Sequence, residues 1–205
     1  MITPMKKQAL TKYPLVSVVM PVYNAGSFLM ESMDSILSQT YSNIEFIIVD
    51  DASTDNSWSI LKVYAKRYPK KVLIFRNKIN KGVSVTVKKA IKHAQGGYIA
   101  RMDADDISVE DRIAKQVAYL QRHPGTVAIG GQCLLIDKNG TVFGKKTFPL
   151  THAEISKYIF QFVPVQQPTL MIAKDRLPSN FEYYVDGMDT AEEVELFFKL
   201  FQHGK

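Results

Sequence analysis

The sequence has almost no cysteine. Cys133 is the single thiol in 205 residues, so no internal disulfide can form, and the composition suits a reducing compartment. The apolar run Cys133-Leu134-Leu135-Ile136 reads that thiol as a small buried hydrophobe. Long apolar runs are also missing. Nothing approaches the ~18 apolar residues of a membrane-spanning helix, and residues 1–14 carry no apolar signal core. The chain is therefore expected in the cytoplasm, with peripheral contact through basic side chains at the inner face of a membrane as the membrane role left open. No long basic run of the nucleic-acid-tail kind occurs, and no nucleic-acid partner is expected. There is no Walker loop, no G-x-S-x-G and no G-x-G-x-x-G. The histidines His93, His123, His152 and His203 lack metal-ligand spacing and read as surface or helix-end residues. No internal repeat and no low-complexity segment is found.

What is present is an ordinary globular composition, 46% hydrophobic and 22% charged, long enough for one domain with a real core. The net charge of +6 favours acidic partners, phosphorylated small molecules among them.

Short β-rich runs alternate with amphipathic helical windows. Residues 16–20, 44–49, 72–75 and 98–102 predict strands; 27–38, 57–68 and 83–95 predict helices, the last stopped by Gly96-Gly97. Four β-α repeats with continuous apolar strands imply a parallel sheet covered on both faces, a doubly wound α/β domain. In such domains ligands sit at the C-terminal ends of the strands. Further on, 108–123 predicts a helix started by a Ser108–Asp111 capping box. Residues 127–136 and 141–148 predict a hairpin around Asn139-Gly140. Thr151 and Glu154 form another capping box, leading a helix through Phe160; 169–173 predicts a strand and 190–202 a closing helix.

Three polar clusters follow strands and fall on one edge of such a sheet: Pro21-Val22-Tyr23-Asn24, Asp50-Asp51-Ala52-Ser53-Thr54-Asp55 and Asp103-Ala104-Asp105-Asp106. Two carboxylates on a tight turn suit a hard divalent cation, Mg²⁺ or Mn²⁺, shared with substrate phosphates. The competing reading is a solvated acidic turn that caps the next helix. In the second cluster one of the Asp, Ser or Thr side chains is expected to cap the helix through Trp58. Asn80-Lys81-Gly82 precedes a helix, where a lysine and free N–H groups favour phosphate. Glu193 has Leu196, Phe197 and Leu200 at i+3, i+4 and i+7, so it points with the apolar face, whereas Glu192 points toward solvent. An inward carboxylate at a helix start is a candidate general base; it also sits where Thr190 would make it part of a capping box.

Taken in order, Pro21-Val22-Tyr23-Asn24, Val49-Asp50-Asp51-Ala52-Ser53-Thr54-Asp55-Asn56-Ser57, Asn80-Lys81-Gly82 and Tyr98 through Asp106 resemble the family-2 glycosyltransferases. Gln167-Pro168-Thr169 and Ala191 through Leu196 resemble the family's acceptor-side segments more weakly. The resemblance implies a GT-A fold, Rossmann-like and mostly parallel, with a smaller mixed acceptor-side subregion. It implies an extension at 1–14, a nucleotide-sugar-binding half at 15–107 and an acceptor-side half at 108–205, expected to lack a C-terminal continuation. It further implies inverting, metal-dependent transfer from a nucleotide-diphosphate sugar, a UDP-sugar foremost, to a glycan or lipid-linked acceptor in bacterial-type surface glycan synthesis. Pro21, Val22, Tyr23 and Asn24, with Asp50, Asp51, Lys81, Asp103 and Ala104, would hold the donor; Asp105 with Asp103 would hold the metal, and Glu193 would be the base. The sequence departs from the family in three places. Glu stands where Asp is usual at the base, Val87-Lys88 stands where relatives have Arg-Asn, and Q-x-x-R-W is absent. The alternatives are a sugar-nucleotide-binding module without transfer activity and a sugar-phosphate nucleotidylyltransferase. The latter wants a Gly-rich basic loop after the first strand, which Pro21-Val22-Tyr23-Asn24-Ala25-Gly26 is not.

Overall fold

A computed structural model describes residues 13–159, 161–185 and 192–205, leaving aside the side chain of Glu192. The first half forms β1 (Val16–Val22), α1 (Leu29–Leu37), β2 (Ile44–Asp50), α2 (Ser57–Arg67), β3 (Val72–Arg76), α3 (Val83–His93) and β4 (Tyr98–Arg101). The second half adds α4 (Arg112–Arg122), β5 (Ala128–Ile129), β6 (Cys133–Ile136), β7 (Val142–Lys146), α5 (His152–Tyr158), β8 (Met171–Ala173) and α6 (Glu192–Phe201). The main sheet has the order β3-β2-β1-β4-β8-β5. Strands β1 to β4 are parallel, and β8 runs antiparallel to both of its neighbours.

The continuous apolar strands are explained by burial on both faces. Side chains alternate along a strand. Val16, Val18, Met20 and Val22 of β1 thus join Phe46 and Ile48 under Leu29, Met33 and Ile36 of α1 and Leu61 of α2. On that same face α4 packs through Ile113, Val117 and Leu120. The opposite face gathers Val19, Ile47, Val49 and Ile99 under Val87 and Ala90 of α3 and Leu196, Phe197 and Leu200 of α6. The sheet edge away from the strands' C-terminal ends is tied by one carboxylate: Glu45 accepts from Ser17 Oγ at 2.6 Å and from the N–H groups of Gln95 and Gly96.

Several boundaries differ from the sequence reading. Helix α4 starts at Arg112, and Asp111 at its N-cap makes no side-chain cap. Ser108 instead takes a hydrogen bond from Gln39 Nε2 and donates its N–H to Ser35 Oγ, so a long-range contact replaces the expected capping box. The run 127–136 is two strands, because Ala128–Ile129 joins the main sheet before Gly130-Gly131 and only Cys133–Ile136 enters the hairpin. Cys133 is half-buried. The third helix ends at His93 with Ala94 extended, so no glycine caps it. Gly96 serves close approach instead, since a Cβ there would lie 2.6 Å from the Leu15 carbonyl oxygen. The Thr151–Glu154 capping box is present in full. Phe160 and Thr190, named for two helix ends, lie outside the described residues.

Candidate functional site

Parallel strands deliver their following loops to one edge, and here three loops meet there. A cleft of about 390 Å³ is lined by Pro21, Val22, Tyr23 and Asn24, by Asp51, by Gly82 and Thr86, and by Asp103, Ala104 and Asp105. A larger cavity of about 660 Å³ lies between β5, α5 and α6, with Ile129, Phe148, Ile155 and Phe197 in its walls and no acidic side chain. The smaller cleft is the one with chemistry, because it alone gathers the polar segments that follow the strands.

The loops are fastened to one another before any ligand arrives. Asn24 stands in the left-handed region at φ 50°, a conformation Asn tolerates better than most residues. Its N–H donates to Ser53 Oγ at 3.0 Å, and its Oδ1 accepts from the N–H of Thr54 at 2.8 Å. Ala52 also has positive φ, 60°, a strained conformation for alanine beside the site. Asp55 Oδ2 accepts from Gly26 N–H and its Oδ1 from Ser57 N–H, so this residue serves the start of α2, where Asn56 is the N-cap without a side-chain bond.

The adjacent acids Asp50 and Asp51 do different work. Asp50 is fully buried, pairs with Arg76 Nε at 2.8 Å and accepts from Ser53 N–H; it does not line the cleft. Asp51 lines the cleft at 2% exposure and is almost saturated. It accepts from Asn77 Nδ2 at 2.7 Å, from Lys81 N–H at 3.0 Å and from Gly82 N–H at 2.9 Å. Asn77 also donates to Thr86 Oγ1 and accepts from Lys89 Nζ. The N–H groups expected to greet phosphate are therefore engaged by Asp51. The side chain of Lys81 does not line the cleft; Asn80 and Gly82 do, the latter at φ 82°.

The acidic turn is anchored from below. Ser32 Oγ donates to the Asp103 carbonyl at 2.9 Å. Arg101 Nη1 stands 2.6 Å from Asp103 Oδ1 and also donates to the Met102 carbonyl. Arg112 Nη2 donates to the Arg101 carbonyl at 2.7 Å. Asp105 is exposed. Asp106 reaches solvent, yet desolvation within the turn, then the charges of Asp103 and Asp105, push its carboxyl up to about 6. Burial of the Arg112 guanidinium lowers it to about 10, which leaves it charged.

Among the described residues no three His, Cys, Asp or Glu side chains converge as a ready-made metal cage. Two carboxylates on one turn beside an open cleft are the donor set of a hard cation that keeps waters and accepts substrate oxygens. The four histidines stack on or edge against aromatic rings, His93 on Phe75 and His123 on Tyr119 among them. Glu193 is half-buried in the first turn of α6, with Leu196, Phe197 and Leu200 buried behind it, and it does not line the cleft. Sequence reasoning passed over Asn77, Thr86, Ser32 and Arg101. Only Arg101 left a signal, a lone charge in an otherwise buried strand.

The family model for "Glycosyl transferase family 2" matches residues 17–176. EpsE of Bacillus subtilis (strain 168) is 43% identical over 136 residues, 66% of this chain and 49% of that protein. The chain spans about half the length of the first curated relatives it matches. Among solved structures, S. aureus TarS 1-349 in complex with UDP superposes with a TM-score of 0.72 at 23% identity, over 93% of this chain and 56% of that one. The mannosyltransferase PcManGT from Pyrobaculum calidifontis, in complex with GDP-Man and Mn2+, superposes with a TM-score of 0.68 at 19% identity, over 95% and 54%. These likenesses show the fold, which is GT-A as the motifs implied.

Proposed function

The chain belongs to glycosyl transferase family 2, and from that premise we propose that it transfers a sugar from a nucleoside-diphosphate donor to a hydroxyl acceptor, with inversion. The observation that carries the reading is the single cleft that collects Pro21 to Asn24, Asp51 and Asp103 to Asp105 at the C-terminal edge of the strands. Tyr23 and Phe28 offer exposed aromatic surface at its mouth, suited to the face of a base. Asp51 forms a polar wall for base N–H or ribose hydroxyl groups. Asp103 and Asp105 are the residues to hold a divalent cation, Mg²⁺ or Mn²⁺. Such a cation, when bound, supplies Lewis-acid stabilisation of the departing diphosphate. Glu193 is proposed to take the acceptor proton, on the face opposite the leaving group.

UDP-sugars are the favoured donors. The bound UDP of one structural neighbour and the GDP-Man and Mn²⁺ of another support a nucleotide-sugar donor and a metal. The acceptor, on this reading, is a glycan or a lipid-linked glycan in surface-polymer synthesis, met by a cytoplasmic protein at a membrane face. No helix of the described residues is long and apolar enough to cross a membrane.

The test is a thermal-shift series with UDP- and GDP-sugars, each with and without Mn²⁺. Metal-dependent stabilisation by one donor is expected, because a ligand that binds only the native state raises its melting temperature. Asp105→Ala is expected to abolish that shift. A wild-type protein indifferent to every donor and metal would sink the reading.

A further inference from the structure

We infer that Arg101 is a positioning residue that fixes one oxygen of Asp103, and so holds one carboxylate of the acidic turn in place while leaving the other free. The inference rests on the donor-site reading given above. All four residues of β4 are buried, and an arginine is an unusual choice for such a strand. Its side chain is 5% exposed, and a guanidinium so placed is costly unless it is paired. The partner is Asp103 Oδ1 at 2.6 Å, and the same nitrogen reaches the Met102 carbonyl. Arg101 Nε is buried with no hydrogen-bond partner. The guanidinium is thus not placed to satisfy the sheet; its bonds go to the turn.

The backbone on both sides of that pair is pinned as well. Arg112 donates to the Arg101 carbonyl and Ser32 to the Asp103 carbonyl. Asp105 has no hydrogen bond or ion pair among the described residues and is exposed. Asp103 therefore presents a fixed carboxylate with one oxygen already used, and only its second oxygen remains for the cation or the donor. Asp105 keeps both oxygens free. The two members of the D-x-D sequence look alike in the chain and are unlike in the structure, and Arg101 makes the difference.

Calorimetric titration of the purified chain with UDP and with GDP, each in Mn²⁺, tests this. Arg101→Met is expected to weaken binding of the nucleotide that wild type binds by about tenfold or more, since a small misplacement of a positioned group is costly. Arg101→Lys, which keeps the charge, is expected to recover part of the loss. In an Asp103→Asn background Arg101→Met is expected to do nothing further, because its effect travels through Asp103. Wild-type affinity in folded Arg101→Met, or losses that multiply in the double variant, would overturn the inference. A second measurement needs neither nucleotide nor a folded Arg101 variant. In the metal-free protein, Asp103→Asn is expected to lower the melting temperature, because Arg101 loses the one carboxylate it is ion-paired with among the described residues, whereas Asp105→Asn is not. Equal shifts in those two variants would dismiss the clamp. A wild-type protein that binds neither nucleotide would instead fail the donor-site reading and leave this second comparison to decide on the clamp.

Discussion

The strands under the cleft and the hairpin of β6 and β7 treat the same kind of side chain in opposite ways. Every residue of β2 is buried, Phe46 completely. In the hairpin Leu134, Val142 and Phe143 are 60%, 54% and 70% exposed, around a polar tip of Asp137 to Thr141. The first region is a sheet covered on both faces, where each apolar residue gains burial. The second is a two-stranded ribbon, an arrangement of marginal stability by itself. The difference separates two sources of precision. The cleft loops inherit theirs from a close-packed scaffold, while among the described residues the hairpin has its own ladder and the contacts at its base, such as Gln132 with Phe148.

The contrast can be broken most forcefully at Phe46. Phe46→Ala should cost about 4 kcal/mol in urea denaturation, as for a large ring removed from a closed core. Next comes Asp51→Ala, which removes the acceptor for Lys81 N–H, Gly82 N–H and the Asn77 amide. A loss of about 2–3 kcal/mol is expected, together with faster amide hydrogen exchange at Lys81 and Gly82. Unchanged exchange there would show that the loop holds itself.

A smaller effect depends on pH. The Asp106 carboxyl is raised from its ordinary 3.8 to about 6, so the folded state holds that proton more tightly. Its contribution to stability is therefore fullest below 3.8 and is lost as pH rises through about 6. Asp106→Asn should stabilise the metal-free protein at pH 8 by no more than about 1 kcal/mol, given solvent screening, and should make no difference at pH 3.5. Equal stabilisation at both pH values would remove the electrostatic explanation. Smallest of all is Phe143→Ser, expected to stay within about 0.5 kcal/mol of wild type. A loss near that of Phe46→Ala would mean that the hairpin is packed against something in solution.

The alternation of strands and helices was legible because both faces of the sheet are covered, which leaves continuous apolar runs such as Ile44 to Val49. The converging loops were legible because parallel strands all send their C-terminal ends to one edge. What was not legible depended on distant partners. Nothing near residue 128 shows that Ala128–Ile129 pairs with Met171–Ala173 rather than with the strand that follows it. Nothing in Asp50-Asp51 distinguishes the acid that meets Arg76 from the one that meets the Lys81 loop. Ser108 offered a good local cap and was claimed by Gln39 and Ser35. Propensity wrote the elements, and tertiary contacts assigned their polar groups.

The strand β8 pairs with β4, Tyr98 standing opposite Ala173 and Ala100 opposite Met171. This bears on how the chain can be recombined. A chimaera made with a relative by crossing over just after the acidic turn would import a foreign strand into the sheet that carries that turn, directly beside Arg101. A graft that exchanges the later segment yet keeps Met171 to Ala173 native would leave that seam intact. The productive crossover points are set by the sheet's neighbours, and in this chain they do not follow the order of the sequence.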